Sequence, residues 1–201
     1  MIKITIADYG VGNLHSISKG LEKAGARIEI VSDMDRLESA RCIVFPGVGA
    51  FGAAMERLRP VARAVRESAE AGTPMLGVCL GMQIMFEKSE ESPGPGLGLF
   101  RGDVRRLRAR RVPQMGWNDV QFGSDRLFEG VPEDSKFYFA NSYVCYPAEE
   151  NVAVAVTDYD GEFASAVRKG GLCGVQFHPE KSGTPGLKVL ANFVSIAEEC
   201  R

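Results

Sequence analysis

The chain has 201 residues, of which 45% are hydrophobic and 25% are charged. This composition is ordinary for a soluble globular protein, and the length suits one domain spanning residues 1–201. The formal net charge of −2 argues against a protein built mainly to neutralise a nucleic-acid backbone.

The five cysteines are odd in number, widely spaced and without a C-x-x-C pair, so they indicate neither a disulfide framework nor a zinc site. The N-terminal run lacks the long apolar stretch of a signal peptide. No segment approaches the ~18 apolar residues of a membrane span. We therefore expect a reducing, cytoplasmic location.

The first half of the chain alternates short apolar strands with amphipathic helices. The predicted strands are residues 2–7, 27–31, 42–45 and 75–78. The predicted helices are a segment that ends near residue 23, residues 51–70 with a break at Pro60, and residues 80–87. This alternation predicts an α/β fold with a parallel sheet covered on both faces.

The second half is richer in strands. Residues 89–98 contain much Glu, Ser, Pro and Gly and are predicted to form a surface loop. The strands predicted after it are residues 104–107, 117–122, 137–139, 143–146, 152–157, 164–168 and 172–177. An amphipathic helix near residues 185–198 ends the chain. The prediction is a single three-layer α/β domain, with a central mixed, mostly parallel sheet flanked by helices.

Residues 77–81 read GVCLG, in which an apolar strand runs into Cys79 and a helix follows. Glycines two residues before and after the cysteine suit a turn so tight that side chains there would clash. Such a turn lifts a nucleophile clear of the sheet and places it at a helix N-terminus, where the peptide dipoles favour the thiolate. On its own, Cys79 could equally be a buried core cysteine.

A thiolate needs a base, and the chain has two histidines, His15 and His178. His178 ends an apolar strand, and Glu180, two residues further on, can fold back and hold the imidazole in one tautomer. The alternative is an exposed turn histidine beside an unrelated acid. The cysteine turn favours a triad of Cys79, His178 and Glu180, and leaves His15 as a structural or surface residue.

Residues 46–51 read PGVGAF and directly follow the third predicted strand. Glycines allow unusual dihedrals and a close approach of the backbone to a ligand. A peptide N–H of Gly47, Val48 or Gly49, together with that of Leu80, could stabilise the oxyanion of a tetrahedral intermediate. Alternatively, the loop only caps a helix. It lacks the Lys-Ser/Thr pair of a phosphate-binding loop.

These motifs occur together with DYGVGNL at residues 8–14, MGWN at 115–118 and FHPEKS at 177–182. In this order they resemble the class I (triad-type) glutamine amidotransferases, and in detail the glutaminase subunits of imidazole glycerol phosphate synthase. The match extends over essentially the whole chain and implies the flavodoxin-like fold of that family. It also implies hydrolysis of glutamine to glutamate and ammonia through a cysteine thioester, without a cofactor or metal.

The resemblance further implies a partner. Ammonia would pass to a cyclase subunit with a (β/α)8 barrel fold, which forms a heterodimer with the glutaminase. The pair would make imidazole glycerol phosphate and aminoimidazole carboxamide ribotide in histidine biosynthesis. Asn13, Tyr138 and Lys181 would face this partner.

Substrate contacts are implied in the same way. Gln83, one helical turn beyond the nucleophile, would face the bound glutamine, and Glu91 or Glu90 would receive its ammonium group. Ser142 and Tyr143 would hold its carboxylate through backbone groups.

The chain departs from the family pattern at Asn141, where the family usually has histidine. An amide there can donate a hydrogen bond but cannot titrate, so Asn141 is not assigned a catalytic role. Residues 101–111 contain six arginines and are predicted to form a solvated edge strand or, alternatively, a docking strip for an acidic partner face.

Three other functions compete with this prediction. The same chemistry could serve pyridoxal phosphate or purine synthesis, although the PGVG and MGWN motifs argue against that. A non-catalytic scaffold of the same fold would not need Cys79, His178 and Glu180. A cysteine peptidase or chaperone with a related turn would not need Gln83 or the acid that follows His-Pro.

Overall fold

The computed structural model describes residues 1–10 and 13–200. In this part of the chain the α-helices are α1 (Leu14–Lys23), α2 (Phe51–Leu58), α3 (Ala62–Glu70), α4 (Leu80–Ile84) and α5 (Gly183–Glu199). The strands are β1 (Lys3–Ala7), β2 (Arg27–Val31), β3 (Ile43–Phe45), β4 (Met75–Val78), β5 (Lys88–Ser89), β6 (Ser92–Pro95), β7 (Gly102–Arg106), β8 (Gln114–Asp119), β9 (Gln121–Phe122), β10 (Lys136–Asn141), β11 (Tyr143–Pro147), β12 (Ala153–Asp158), β13 (Glu162–Lys169) and β14 (Leu172–Val175). Short 3-10 helices span Met34–Ser39, Arg59–Val61, Arg126–Phe128 and Pro179–Lys181. None of the helices described combines the length and apolar character needed to cross a bilayer.

Most strands join one large mixed sheet. Five neighbouring strands, in the order β2-β1-β3-β4-β14, are parallel to one another. The sheet continues with antiparallel β13 and β11 and then with β7, β5 and β6, while β12 pairs with β13 and β9. Strands β8 and β10 form a separate antiparallel pair. The predicted α/β fold with a central mixed sheet is confirmed.

The parallel strands are apolar on both faces, as expected of a sheet covered by helices on each side. In β3, Val44 faces a core that also contains residues of α1 and α5. Its neighbours Ile43 and Phe45 face a second core, which is shared with α2 and α3. The period of two along a fully buried strand therefore divides the core between the two helical layers.

The segment after α4 differs from the prediction in two respects. The helix predicted for residues 80–87 ends at Ile84, because the carbonyl oxygens of residues 84–86 accept hydrogen bonds from the N–H groups of residues 97–100. The predicted surface loop at residues 89–98 is partly a hairpin, in which β6 pairs antiparallel with β5. The long-range backbone bonds that end α4 leave no local signal in the sequence.

The arginine-rich segment is not an edge strand, because β7 pairs with β11 on one side and β5 on the other. Two of its arginines form ion pairs within the chain. Arg105 pairs with Asp103, and Arg110 pairs with Asp160. The predicted edge position was therefore wrong for Gly102–Arg106, whereas residues 107–111 are not in a strand. Charge pattern alone could not reveal a strand that is paired on both sides.

The topology brings the motifs to one place. The Gly-rich loop follows β3, Cys79 follows β4, and Gln176–His178 follow β14. These three strands are adjacent and parallel, so their C-terminal ends meet at the same edge of the sheet. The C-terminal edge of an open parallel sheet is where α/β proteins commonly bind ligands.

Candidate active site

Cys79 occupies a strained turn between β4 and α4. Its φ of 50° and ψ of −106° lie outside the regions that residues with a side chain normally adopt. Its N–H donates to the carbonyl oxygen of Val175 at 2.7 Å, which ties the turn to β14. The geometry is that of a nucleophile turn, in which the side chain projects from the end of the strand.

The glycines around Cys79 are required by backbone packing. A Cβ added to Gly77 would lie 2.5 Å from the carbonyl group of Gly81, and one added to Gly81 would lie 1.9 Å from the carbonyl oxygen of Phe45. Gly47 is equally constrained, because its Cβ would lie 1.6 Å from the carbonyl oxygen of Val78. The turn therefore packs directly against the Gly-rich loop, with no room for side chains between them.

His178 is buried beside the nucleophile, with 2% of its surface exposed. Its Nδ1 lies 2.9 Å from Oε1 of Glu180, while its Nε2 has no hydrogen-bond partner among the described residues. Burial alone would lower the pKa of His178, but its interactions with Cys79 and Glu180 raise it from 6.5 to about 9. At neutral pH the site therefore favours an imidazolium next to the sulfur.

The charge of Cys79 also affects the pKa values of two further groups. Burial, and then the charge of Cys79, raise the pKa of the Tyr9 hydroxyl well above its ordinary value. The same two causes raise the pKa of the Cys145 thiol. Tyr9 donates to the carbonyl oxygen of Pro46, so it stays neutral and anchors the start of the Gly-rich loop.

A cavity of about 210 Å³ opens over Cys79. Apart from Ala140 and Asn141, its lining consists of residues that the sequence predicts for the site: Val48, Gly49, Cys79, Leu80, Gln83, Glu91, Ser142 and Tyr143. A larger cavity of about 550 Å³ lies near Asp125 and contains neither a cysteine nor a histidine. We assign the site to the smaller cavity because the candidate nucleophile, Cys79, lines it.

The predicted oxyanion residues divide into two groups. Val48 and Gly49 are exposed and line the cavity, and Gly49 has a φ of 131°, which strongly favours glycine. Gly47 is buried below them, and a Cβ there would lie 2.7 Å from the nitrogen of Leu80. The loop is thus adjacent to the first N–H of α4, which has no partner within that helix.

Gln83 lines the cavity but is largely engaged by the protein. Its Nε2 donates to the carbonyl oxygen of Tyr143 at 3.0 Å and to Oε1 of Gln176 at 3.2 Å. Both N–H bonds of the amide are therefore used, and its oxygen is the group available to a ligand.

Of the two acids considered for the ammonium site, Glu91 lines the cavity and Glu90 does not. Oε2 of Glu91 also accepts from the N–H of Phe51 at 2.8 Å and so caps α2. The carbonyl oxygens of Ser142 and Tyr143 already accept hydrogen bonds, from Leu107 and Gln83 respectively. Of the backbone groups of Ser142 and Tyr143, the N–H groups are the ones that could bind a carboxylate, because a carboxylate needs donors.

Asn141 is buried against the same cavity. Its Nδ2 donates to the carbonyl oxygen of Tyr143 at 3.2 Å, and its Oδ1 has no partner among the described residues. Asn141 therefore helps to hold the wall of the cavity.

The predicted partner residues occupy different surroundings. Asn13 caps α1 by accepting from the N–H of Ser16 at 3.2 Å. Tyr138 and Lys181 lie together, with the Lys181 Nζ 5.6 Å from the centre of the tyrosine ring. Val11 and Gly12, in the motif at residues 8–14, lie outside the described residues.

Beside Tyr138, which the sequence assigns to the partner surface, lie two exposed apolar side chains that the sequence did not assign there. Met115 is 67% exposed and Trp117 is 56% exposed, and the indole packs edge-on against the ring of Tyr138 at 6.1 Å. We call Met115, Trp117 and Tyr138 the aromatic patch. The Met-Gly-Trp-Asn motif could have indicated it, because alternation along β8 turns residues 115 and 117 to the same face.

Gln176 was also missed. It is fully buried and donates from Nε2 to the sulfur of Cys79 at 3.4 Å. The apolar run that contains it suggested an ordinary strand, although an amide in such a run is a polar group that needs a buried partner.

Comparison with known sequences gives a consistent result. The family model of class-I glutamine amidotransferases matches residues 5–197. The imidazole glycerol phosphate synthase subunit HisH of Moorella thermoacetica is 47% identical, over 96% of this chain and 94% of the relative. HisH of Thermococcus kodakarensis is 48% identical, over 94% and 98% of the two chains. HisH of Methanosarcina mazei is 46% identical, over 98% and 100%.

Solved structures of low sequence identity share the fold. A crystal structure of a glutamine amidotransferase has a TM-score of 0.78 at 21% identity, over 97% of this chain and 98% of that chain. The structure of PurLQS from Thermotoga maritima has a TM-score of 0.73 at 20% identity, over 96% and 97%. At these identities the likeness is evidence for the fold alone.

Proposed function

Because the chain belongs to the class-I glutamine amidotransferases, and within them to the HisH subunits of imidazole glycerol phosphate synthase, we propose that Cys79, His178 and Glu180 form its glutaminase triad. The observation that carries this proposal is the position of His178, whose Nδ1 lies 2.9 Å from Oε1 of Glu180 and which interacts electrostatically with Cys79, while its Nε2 has no partner among the described residues. A base oriented by an acid and adjacent to a nucleophile is the arrangement that covalent catalysis requires.

In the proposed reaction the Cys79 thiolate attacks the side-chain amide carbon of glutamine. The C–N bond then breaks, and the imidazolium of His178 gives its proton to the nitrogen, which leaves as ammonia. The remaining glutamyl thioester is attacked by water, from which His178 takes a proton, and glutamate is released. Glu180 holds the imidazole in position throughout the reaction.

The negative oxygen of each tetrahedral intermediate needs hydrogen-bond donors. We assign this role to the N–H of Leu80 and to an N–H of the loop Gly47-Val48-Gly49. Support comes from the close packing of that loop on the nucleophile turn and from the exposure of Val48 and Gly49 at the cavity.

For the substrate itself, the Oε1 of Gln83 would accept from the glutamine amide. Glu91 would receive the α-ammonium, and the N–H groups of Ser142 and Tyr143 the α-carboxylate. The small volume of the cavity, about 210 Å³, suits a free amino acid better than a peptide.

A variant of the nucleophile tests this function. We expect Cys79→Ala to lower glutamate release from glutamine by at least about 10³-fold, because the covalent route is removed. Synthesis by the complex from supplied ammonium salts should persist. Cys200→Ala is the matched control, because this exposed cysteine lies outside the site and should leave both activities unchanged. Glutamate release that survives in Cys79→Ala would contradict the proposal.

The partner in this proposal is a cyclase subunit with a (β/α)8 barrel fold, bound as a heterodimer, which receives the ammonia. The relatives are named as subunits of a synthase, which supports a complex of this kind. The aromatic patch beside His178 and the nearby Lys181 form the proposed contact surface. Asn13 is the remaining candidate for that surface, in addition to its capping of α1.

Two aspects of the biological setting follow. The product would enter histidine biosynthesis, since the HisH relatives are 46–48% identical whereas the purine-pathway structure is 20% identical. The reaction requires a reduced thiol at residue 79, and Cys79 forms no disulfide. This requirement fits a cytoplasmic location.

A further inference from the structure

Gln176 is a buried amide that contacts the proposed nucleophile. It follows β14 and precedes His178 by two residues. Its Nε2 donates to the sulfur of Cys79 at 3.4 Å, and its Oε1 accepts from Nε2 of Gln83 at 3.2 Å. This fully buried amide therefore connects Gln83 in the cavity wall with the sulfur of Cys79.

The orientation of the Gln176 amide follows from a fixed backbone group. The carbonyl oxygen of Tyr143 can only accept, so Gln83 must present its Nε2 to it. The second N–H of Gln83 then donates to Gln176, which must accept with its side-chain oxygen. This leaves the Nε2 of Gln176 as the group that faces the sulfur, and a flipped amide would place two donors against each other.

Few other groups near Cys79 can stabilise a negative sulfur. The hydroxyl of Tyr9 donates to the carbonyl oxygen of Pro46, so its proton is not available to the sulfur. The carbonyl oxygen of Ala140, 3.8 Å from the sulfur, can accept from a thiol but would repel a thiolate. Helix α4 has only five residues, which limits the dipole contribution expected from the sequence.

The charged groups around the sulfur are His178, Glu180 and Glu91. The imidazolium of His178 favours the thiolate, whereas Glu180 behind it and Glu91 across the cavity oppose negative charge. Gln176 is therefore the described side chain, besides His178, that can donate to the sulfur.

We propose that Gln176 stabilises the Cys79 thiolate by donating a hydrogen bond to it, and that Gln83 holds the Gln176 amide in the donating orientation. This inference rests on the proposed role of Cys79 as the nucleophile. A hydrogen bond to the charged form of a group favours ionisation of that group. The network also extends from the cavity wall to the sulfur, because Gln83 lines the cavity that glutamine would enter.

The rate of alkylation of Cys79 by iodoacetamide, followed against pH by mass spectrometry of the Cys79 peptide, tests this inference. The measurement uses the intact chain with Cys200→Ala, so that the exposed thiol does not react. Gln176→Met keeps the side-chain volume but removes the donor. We expect about tenfold slower alkylation of this variant at pH 7, with the midpoint of the profile moved to higher pH. Gln176→Glu should move this midpoint to still higher pH, because the substitution adds a negative charge beside the sulfur.

Asn192→Leu is the matched control, because it removes a buried amide that donates to the carbonyl oxygens of Leu127 and Glu129, away from the sulfur. Its alkylation midpoint should be unchanged even if its stability falls. An unchanged alkylation midpoint in Gln176→Met would overturn the proposal. If Gln176→Met does not fold, an unchanged midpoint in Gln176→Glu would overturn it instead. A shift in Asn192→Leu as large as that in the Gln176 variant would also overturn it. Alkylation needs neither glutamine nor a partner, so this result is independent of whether the chain hydrolyses glutamine.

Discussion

At the scale of single residues, the proton on His178 determines how the site depends on pH. The pKa of this imidazole is raised from 6.5 to about 9, since the contributions of Cys79 and Glu180 outweigh the effect of burial. Below pH 6.5 the group is protonated in both the folded and unfolded chain, so the stabilisation from the pair is fully present. It is lost as the pH rises through about 9.

The same proton is needed by the leaving ammonia, so glutaminase activity should fall as the pH rises through about 9. Glu180→Gln removes a negative charge from the imidazole, and we expect it to move this alkaline limb to lower pH and to reduce the maximal rate. The measurement is kcat against pH for the complex. Glu150→Gln, at an exposed acid outside the site, is the control. An alkaline limb that stays in place in Glu180→Gln would show that Glu180 does not hold the charged imidazole.

At the scale of elements, the site depends on how closely β3, β4 and β14 approach one another at their C-terminal ends. Gly81 in the first turn of α4 touches the last residue of β3, so a side chain there would push two backbones apart. No side-chain rotation can relieve this contact, because the atom in the way is the carbonyl oxygen of Phe45.

Gly81→Ala should therefore lower the free energy of unfolding by at least about 2 kcal/mol, the usual cost of overpacking a rigid core. Urea denaturation of the isolated chain measures it. Gly123→Ala is the control, because its added Cβ would meet nothing within 4 Å and its φ is not in the left-handed region. If both variants unfolded at the same urea concentration, the packing explanation of the glycine at residue 81 would be wrong.

The parallel part of the fold could be predicted from sequence because buried strands and amphipathic helices leave local patterns. The strand and turn at residues 75–79 and the helix break near Pro60 are examples, and α2 indeed ends at Leu58 before the 3-10 turn Arg59–Val61. The end of α4 and the short strands β5 and β6 could not be predicted. The end of α4 and the pairing of β5 with β7 depend on hydrogen bonds between segments more than ten residues apart, such as that from the N–H of Leu97 to the carbonyl oxygen of Ile84. Strand β6 pairs with β5 in a local hairpin, but its sequence, SPGP, has no strand pattern.

The site was predictable to a similar degree. Motifs at residues 47–49, 77–81 and 178–180 identify the groups that meet, because strand order places them on one edge of the sheet. Sequence could not reveal that Gln83 is held by Gln176, or that Glu91 caps α2, since both contacts join residues at least forty positions apart. It also gave no indication that the arginine-rich strand β7 is covered on both sides.

At the scale of the whole molecule, the aromatic patch and the triad share a backbone connection. The carbonyl oxygen of Tyr138 accepts from the N–H of His178 at 2.8 Å, and the N–H of Tyr138 donates to Oγ of Ser182 at 3.0 Å. Ser182 in turn donates to the carbonyl oxygen of His178 at 2.6 Å. A partner that presses on Tyr138 would therefore act on the segment that carries the imidazole.

Trp117 packs against Tyr138 and is exposed. Its removal should therefore lower the affinity for the cyclase while changing the stability of the isolated chain little. Exposed aromatic residues are enriched among those that dominate interface energies, and Trp117 has 56% of its surface free to be buried. We expect Trp117→Ala to weaken binding of the cyclase by about 30-fold or more, and to leave the unfolding midpoint of the isolated chain nearly unchanged. Calorimetric titration of the purified cyclase measures the affinity.

Ile30→Ala is the matched control, because Ile30 is also an exposed apolar residue, 46% free, but lies on β2 at the far end of the parallel strands. Equal affinities for Trp117→Ala and Ile30→Ala would place the cyclase elsewhere on the surface and remove the proposed route from Tyr138 to His178.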